Sequence, residues 1–224
     1  EAALETAGCE PIAQGAYESR EHLDPDTAPP ADVLYPDFRP THSGPHFGSV
    51  FPVQADGLSR QGDERALTHN LEHGAVIAWY DPEKIDGGML DDWAESRNDG
   101  GFLSQRSGGA VFTSPYTEPG IDDGKAVALR AWGVGVNCDS WDQDVADAFV
   151  INNYGTHGVA PERSITPYPE SALSFADAEV EDNTEAPDDF TDPADDASDP
   201  SDEDLSEMIP DEDAETPFAD DAEG

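Results

Sequence analysis

The fold is decided by residues 68–80, which read Thr68-His69-Asn70-Leu71-Glu72-His73-Gly74-Ala75-Val76-Ile77-Ala78-Trp79-Tyr80. His69 and His73 are four residues apart and Glu72 is three from His69, so a helix would carry all three on one face. Gly74 then provides a helix stop. The continuous apolar run that follows predicts a buried strand over 75–80. A short helix that leads into a buried strand places two imidazoles and a carboxylate at the rim of the core.

Further elements on both sides of this junction indicate the fold class. The pattern predicts a strand within 47–53, a helix from Asp63, the strand 75–80, a helix over 85–97, strands over 109–113 and 126–132, and a helix over 141–153. The strands over 109–113 and 126–132 are expected to form a hairpin. This order is that of a thioredoxin-like α/β (α+β) sandwich, a small mixed sheet with flanking helices. No Cys-x-x-Cys motif is present in the sequence, so thioredoxin redox chemistry has no residues to use.

Composition divides the chain into three parts. Residues 1–40 are rich in proline and acidic residues, and we expect an extended N-terminal arm there. The residues expected to hold the arm down are Cys9, Val33, Leu34 and Tyr35. Residues 41–163 form the predicted globular α/β domain. Residues 164–224 contain no Lys or Arg, and this acidic low-complexity tail cannot bury enough apolar surface to order itself.

Isolated apolar residues in the acidic tail are spaced like anchors on an extended peptide. They are Phe190, Leu205, Met208, Ile209 and Phe218. We expect the tail to dock on neighbouring copies of the chain, which would make the protein a homo-oligomer or a polymer. The alternative is a tail that is disordered in solution.

The charge of the chain restricts its partners. The formal net charge is −41, and the only two lysines are Lys84 and Lys125. This composition argues against nucleic acid and anionic membrane surfaces as partners. It is typical of a halophilic protein, because high ionic strength screens self-repulsion, and a generic acidic protein is the alternative. No stretch of the sequence approaches the roughly 20 apolar residues of a membrane span.

Two cysteines, Cys9 and Cys138, lie far apart and match no thiolate metal motif. A disulfide between them is the economical interpretation for an exported protein. The sequence begins with Glu1 rather than Met, which removal of a signal peptide would explain, with an engineered start as the alternative. We therefore expect a secreted or cell-surface protein whose N-terminal arm is tied to the body by a Cys9–Cys138 bridge.

Histidines are the candidate metal ligands. Four of the six histidines fall in two short clusters, His42 and His46 in a loop of Pro, Ser and Gly, and His69 and His73 in the predicted helix. Both clusters can converge on one ion if the loop folds over the end of the helix. The alternative is that they are ordinary polar loop and capping residues.

Several of these residues lie in a pattern that resembles a known family. Ser43-Gly44-Pro45-His46, followed by His69-Asn70-Leu71-Glu72-His73-Gly74-Ala75-Val76, is similar to the SGPH loop and H-x-LEHG motif of a secreted prokaryotic family known as domain of unknown function 3105. Further similarities are Arg20-Glu21-His22, Ala131-Trp132-Gly133 with Cys138, and Pro161-Glu162. The resemblance covers about residues 9–163, and His42 and the acidic tail depart from the family pattern. It implies the fold and export but supplies no function.

The resemblance adds a fifth histidine to the candidate ligands. If the family positions converge, the ligands are His22, His46, His69 and His73, with His42 as an addition. Imidazoles without thiolates suit copper(II) or zinc(II), and nickel(II) less often. Glu72 could be a further ligand, or an acceptor that fixes the tautomer of an imidazole. His157 is expected at the surface, or as a charge at the end of the last helix.

Three classes of function are compatible with these residues. The first is a secreted or cell-surface protein that binds copper or zinc in a structural or assembly role, with the tail docked on neighbouring subunits. The second is a metal-dependent enzyme, either a hydrolase with Glu72 as base or a copper redox enzyme. The H-x-x-E-H peptidase pattern of residues 69–73 normally lies inside a long helix, whereas Gly74 ends this one at once. The third is an envelope or adhesion module without metal, whose histidines only form hydrogen bonds.

Overall fold

The computed structural model of the protein describes residues 2–12, 15–52, 57–99, 108–155 and 160–162. The helices are α1 (Ala2–Thr6), α2 (Ala31–Leu34), α3 (Glu64–Glu72), α4 (Gly87–Asn98) and α5 (Gln143–Asn153). The strands are β1 (Glu10–Pro11), β2 (His22–Leu23), β3 (His46–Phe47), β4 (Val76–Tyr80), β5 (Val111–Pro115), β6 (Val127–Ala131) and β7 (Val134–Cys138). The predicted class of fold, a mixed sheet with flanking helices, is confirmed.

The main sheet has five strands in the order β1-β7-β6-β4-β5. β4 is parallel to β5 on one side and antiparallel to β6 on the other. All five residues of β4 are buried, which explains its continuous apolar sequence. The succession β4, α4, β5, β6 and α5 follows the predicted order, with β7 as an additional strand.

The predicted hairpin between the strands of 109–113 and 126–132 is wrong. β5 and β6 both pair with β4, and the hairpin partner of β6 is β7, which follows a tight turn at Gly133 with a φ of 70°. Gly135 and Asn137 lower the β propensity of β7, so the sequence pattern does not predict this strand. The apolar β4 lies inside the sheet, between β6 and the edge strand β5, and both of its faces are covered.

Two apolar cores lie on opposite faces of the sheet. On one face, Trp93 of α4 and Val150 of α5 belong to a core that includes alternate residues of β4 and β6. On the other face, Leu67 and Leu71 of α3 pack with Trp79 of β4 and with residues of β5 and β6. Burial of these leucines fixes how α3 is rotated on the sheet, and so which way its polar residues face.

The junction between α3 and β4 forms as predicted. The carboxylate of Asp63 caps α3 by accepting a hydrogen bond from the backbone N–H of Arg65 at 2.9 Å. At the other end Gly74 has a φ of 103°, which favours glycine, and the N–H of Ala75 donates to the carbonyl of Asn70. The chain therefore turns directly from α3 into β4 and holds the last turn of α3 at the edge of the core.

The N-terminal arm is less extended than expected, because it contains the short helices α1 and α2. α2 begins directly after Pro30. Proline suits the start of a helix because its φ is fixed near the helical value, and the N–H that it lacks would have no partner within the helix. Of the residues expected to hold the arm down, Tyr35 is fully buried and Leu34 partly buried, whereas Val33 is 62% exposed. The predicted Cys9–Cys138 disulfide is present, and it lies beside the antiparallel pairing of β1 with β7.

A second sheet consists of β2 and β3, which run parallel and place His22 opposite His46. The strand expected within 47–53 is therefore limited to Phe47, and residues 48–52 have no regular structure. Gly48 and Pro52 account for this, since both are poor strand formers.

Some predicted features lie outside the described residues. They are His157 and the tail anchors Phe190, Leu205, Met208, Ile209 and Phe218. Within the ranges that the structure describes, no helix has the length and apolar character needed to cross a membrane.

Candidate metal centre

Three separate elements bring four predicted ligands together. The β2–β3 pairing sets His22 beside His46, and the last turns of α3 supply His69 and Glu72. One ligand atom from each of these four residues lies within 4.8 Å of all the others. His46, His69 and Glu72 are buried, whereas the side chain of His22 is 47% exposed, so the group opens to solvent on the His22 side.

Backbone carbonyls fix the tautomers of two of the imidazoles. The Nδ1 atom of His46 lies 2.8 Å from the carbonyl oxygen of Gly44, and the Nδ1 atom of His69 lies 2.7 Å from that of Phe47. A carbonyl oxygen can only accept, so each Nδ1 carries the hydrogen. In the neutral ring the Nε2 atom is then an unprotonated acceptor, which is how proteins orient imidazoles that bind metals.

His46 and Glu72 face each other with acceptor atoms. The Nε2 atom of His46 lies 2.9 Å from the Oε2 atom of Glu72. Both atoms are buried, and neither has a hydrogen-bond partner among the described residues, because the imidazole hydrogen is on Nδ1. Two buried lone-pair atoms in contact are unfavourable unless a proton or a cation is shared between them.

Burial determines the protonation of this pair. It lowers the pKa of His46 to about 4, with further lowering from the neighbouring His69 and His22, so the ring is neutral at pH 7. It also lowers the pKa of His69. Burial, and then the charge of Glu162, raise the pKa of Glu72, while Arg20 acts in the opposite direction. The imidazoles are thus in the form that binds a metal, and the carboxylate gains from a nearby positive charge.

The remaining contacts of Glu72 hold its carboxylate in place. The Arg20 guanidinium lies 3.3 Å from Oε1, and the Nε2 atom of His22 lies 3.9 Å from Oε2. The neighbouring ring of His46 is in turn packed edge-on against the ring of Trp132, with centroids 5.8 Å apart. One carboxylate oxygen is therefore bound by arginine, and the other faces the imidazoles.

His73 joins a second group that shares His69 with the first. The Nε2 atom of His73 lies 3.0 Å from the Nε2 atom of His69 and donates a hydrogen bond to it, because the hydrogen of His69 is on Nδ1. The same atom of His73 lies 3.8 Å from Oε2 of Glu162. The ligand atoms of His69, His73 and Glu162 lie within 4.8 Å of one another. Glu162 is held here because its backbone N–H donates to the carbonyl of Glu72 at 3.2 Å.

His42 belongs to neither group. It is fully buried, its ring stacks on Phe38 with centroids 4.2 Å apart, and its Nδ1 atom lies 3.0 Å from the hydroxyl of Ser43. The four-residue spacing from His46 suggested a shared site, but residues 42–46 do not form a helix, so the spacing does not place the two rings on one face. The structure brings together the other five predicted residues, His22, His46, His69, Glu72 and His73.

Arg20 and Glu162 were not predicted as site residues. Both lay in segments that resemble the family pattern, Arg20-Glu21-His22 and Pro161-Glu162, and this was the only signal for them. Nothing in the local sequence shows that the chain after α5 returns to the end of α3, where the Gly155 N–H donates to the carbonyl of Gly74. The contact of Glu162 with the site depends on that return.

The donor set suits a small transition-metal ion. Three imidazole nitrogens and one carboxylate oxygen are ligands of zinc and copper, and the described part of the site contains no thiolate. In a tetrahedral zinc site neighbouring ligand atoms lie about 3.3 Å apart. The four atoms here lie within 4.8 Å of one another, with His46 Nε2 already 2.9 Å and His22 Nε2 3.9 Å from Oε2 of Glu72, so the side chains would have to draw together to bind one ion.

Comparison with known proteins identifies one family. A family model described as "Protein of unknown function (DUF3105)" matches residues 28–168. His46, His69, Glu72, His73 and Glu162 lie within the matched residues, and His22 precedes them. No curated protein and no solved structure matches the chain.

Proposed function

The chain belongs to the DUF3105 family, and since this family has no assigned function, we propose one from the site: the protein binds one zinc or copper ion. The proposed ligands are the Nε2 atoms of His22, His46 and His69 and the carboxylate of Glu72. The ion would join the N-terminal arm, the strand β3 and the end of α3, and so would have a structural role.

One observation carries this proposal. The Nε2 atom of His46 and the Oε2 atom of Glu72 are buried acceptors 2.9 Å apart, and neither has a hydrogen-bond partner among the described residues. A bound cation would satisfy both atoms at once. Hydrogen bonds from the other nitrogens of His46 and His69 to carbonyl groups support it, because they leave both Nε2 atoms without a hydrogen and able to bind a cation.

The closed donor set favours a structural ion over the hydrolase alternative. A catalytic zinc site keeps one position open for water, with three protein ligands, whereas four protein ligands are typical of structural sites. If Glu72 is a ligand, as its contact with His46 suggests, it is not free to act as a base.

Elemental analysis and zinc titration of the full chain test the proposal. After dialysis and reloading with zinc or copper, we expect one equivalent of metal per chain. His22→Ala removes a half-exposed ligand with little risk to folding, and it should weaken affinity by about tenfold or more. Glu21→Ala, on the neighbouring exposed residue, is the matched control, and His42→Gln should also leave affinity unchanged. Retention of full affinity in His22→Ala, or no binding by the wild type, would refute the proposed site.

A metal-dependent enzyme is the second candidate, and one feature favours it. A cleft of about 660 Å³ lies beside the site and is lined by Arg20 and Trp132, among other residues. Both of these contact ligands of the proposed ion. Spectroscopy of cobalt-substituted protein separates the alternatives, because exogenous azide would perturb the spectrum of an open site and leave that of a closed one unchanged.

We also propose that the protein acts outside the cytoplasm and assembles through its tail. The Cys9–Cys138 disulfide supports export, since disulfides persist mainly in oxidising compartments. Assembly rests on the anchor spacing in residues 164–224 alone. Truncation after residue 175 should give a monomer by light scattering, and a truncated chain that assembles like the wild type would refute this part.

A further inference from the structure

The second histidine group suggests how an ion reaches the buried site. We propose that His73 and Glu162 form an outer metal position, from which one ion passes to the inner position of His22, His46 and Glu72 while it stays bound to His69. The inference rests on the proposed function, because it concerns the path to the same site.

His69 has only one nitrogen to offer. Its Nδ1 atom lies 2.7 Å from the carbonyl oxygen of Phe47 and carries the hydrogen, so only Nε2 is available to an ion. His69 belongs to both groups of candidate ligands, and Nε2 is the atom that it could offer to either. The two positions therefore cannot both be complete, and they are alternatives for a single ion rather than a two-metal centre.

The two positions differ in exposure. In the outer group the side chains of His73 and Glu162 are 19% and 50% exposed, whereas in the inner group those of His46 and Glu72 are 0% and 1% exposed and that of His22 is 47% exposed. Both outer side chains are thus at least partly accessible to a hydrated ion, whereas two of the inner ones are not. The inner position offers more ligands, so it is the more stable of the two.

The geometry permits transfer without release of the ion. The Nε2 atoms of His69 and His73 are 3.0 Å apart, close to the separation of two ligands on one ion. The backbone hydrogen bond from Glu162 to Glu72 fixes the outer carboxylate beside the inner one. Ligands can be exchanged one at a time, with His73 and Glu162 leaving as His46 and Glu72 bind, so the charge of the ion stays compensated throughout.

Direct entry past the half-exposed His22 is the competing path. Removal of the outer ligands distinguishes the two. If the outer position is on the path, its loss slows loading and release by the same factor and leaves the equilibrium affinity unchanged. If ions enter directly, its loss changes neither rate.

Stopped-flow kinetics with zinc ions and a chromophoric chelator make this test on the full chain. We expect His73→Ala and Glu162→Gln each to lower the association and dissociation rate constants by about tenfold, a difference of ~1.4 kcal/mol in the barrier. The stoichiometry should stay at one zinc per chain, and affinity should stay within about twofold. Glu83→Gln, on an exposed glutamate after β4, is the matched control and should show wild-type rates.

Three results would overturn the inference. The first is wild-type rates in both variants. The second is a large loss of affinity in either variant, which would make the substituted residue a permanent ligand. The third is two zinc ions bound at once to the wild type. The proposed function fails separately, if the wild type binds no zinc or if His22→Ala retains full affinity. Glu162→Gln is an isosteric change at a half-exposed residue, so the test does not depend on the folding of His73→Ala.

Discussion

The Nε2 atom of His46 lies 2.9 Å from the Oε2 atom of Glu72, and among the described residues neither atom has a hydrogen-bond partner. The two residues are 26 positions apart, and they are brought together by the packing of β3 against the end of α3. A buried acceptor without a donor costs about 1–3 kcal/mol. The metal-free protein therefore carries an unfavourable contact at the point where an ion would be most strongly held.

Glu72→Gln should stabilise the metal-free protein and weaken metal binding. The glutamine amide can donate to the Nε2 atom of His46, and its oxygen can still accept from Arg20. We expect the free energy of unfolding without metal to rise by about 1 kcal/mol. Zinc affinity should fall at least about tenfold, because a neutral amide is a poorer ligand than a carboxylate. Urea unfolding in chelator and zinc titration measure the two effects.

Glu64→Gln is the matched control for that substitution. It makes the same change on the same helix, and Glu64 is also buried, but its carboxylate is satisfied by the hydroxyl of Tyr116 and the N–H of Thr41. We expect it to lower stability and to leave zinc affinity unchanged. If Glu72→Gln destabilised the metal-free protein as Glu64→Gln does, the contact of Glu72 with His46 would be satisfied in solution without an ion.

Bound metal should raise the stability of the folded chain. At a free zinc concentration 100 times Kd, binding to the native state adds about 2.7 kcal/mol. For a chain of this size we expect a rise in Tm of roughly 5–10 °C. His22→Ala should lose about half of that rise or more, for a loss of affinity of about tenfold or more, and should show an unchanged Tm in chelator, since the side chain is half exposed. Calorimetry with and without zinc checks this, and an equal rise in wild type and variant would exclude His22 as a ligand.

The turn from α3 into β4 could be predicted because its signals are local. Helical spacing of His69, Glu72 and His73, a glycine stop and a continuous apolar strand all lie within residues 68–80. The same local pattern placed α4 and β5 approximately. The pattern could not show which strands pair. From the sequence alone, β5 and β6 could pair with each other or each could pair with β4. The interior position of β4, between β6 and β5, becomes clear only in the structure, where helices cover both of its faces.

The site was predictable in its residues but not in its arrangement. The resemblance to a family pattern brought in His22, which no helical or strand period connects to His46. The parallel pairing of β2 with β3 makes that connection. His42 shows the limit of spacing arguments: it has the same separation from His46 as His73 has from His69, but residues 42–46 are not helical, and the ring lies against Phe38 instead.

Metal affinity should depend only moderately on pH. A protonated imidazole cannot bind a metal, so affinity is lost as pH falls through the pKa of each free ligand. Burial lowers the pKa of His46 to about 4 and also lowers that of His69, so protons compete with these two only in more acidic solution. The pKa of Glu72 is raised, so protons compete with the metal for this carboxylate at a higher pH than for an ordinary glutamate.

Between pH 7 and pH 5 we therefore expect affinity to fall by about 10-fold per pH unit. Three imidazoles of ordinary pKa would give a fall of roughly 100-fold per unit over the same range. Titration calorimetry at pH 7, 6 and 5 measures the slope. Glu72→Gln should reduce it, because the glutamine does not titrate. A fall near 100-fold per unit would mean that His46 and His69 become protonated in the metal-free protein over this range.

Loss of the disulfide should destabilise the fold without removing the site. Cys9 and Cys138 close a loop of 129 residues, and cross-links over long loops typically contribute about 2–4 kcal/mol by restricting the unfolded chain. The bridge ties the edge strand β1 to its neighbour β7, whereas His22 is held separately through β2 and β3. We expect the Cys9→Ala/Cys138→Ala variant to lose that much stability in urea and to keep one zinc site of wild-type affinity. Reduced wild type serves as the control and should unfold at the same urea concentration as the variant. Loss of zinc binding in a variant that is still folded would show that the bridge, and not the β2–β3 pairing, positions His22.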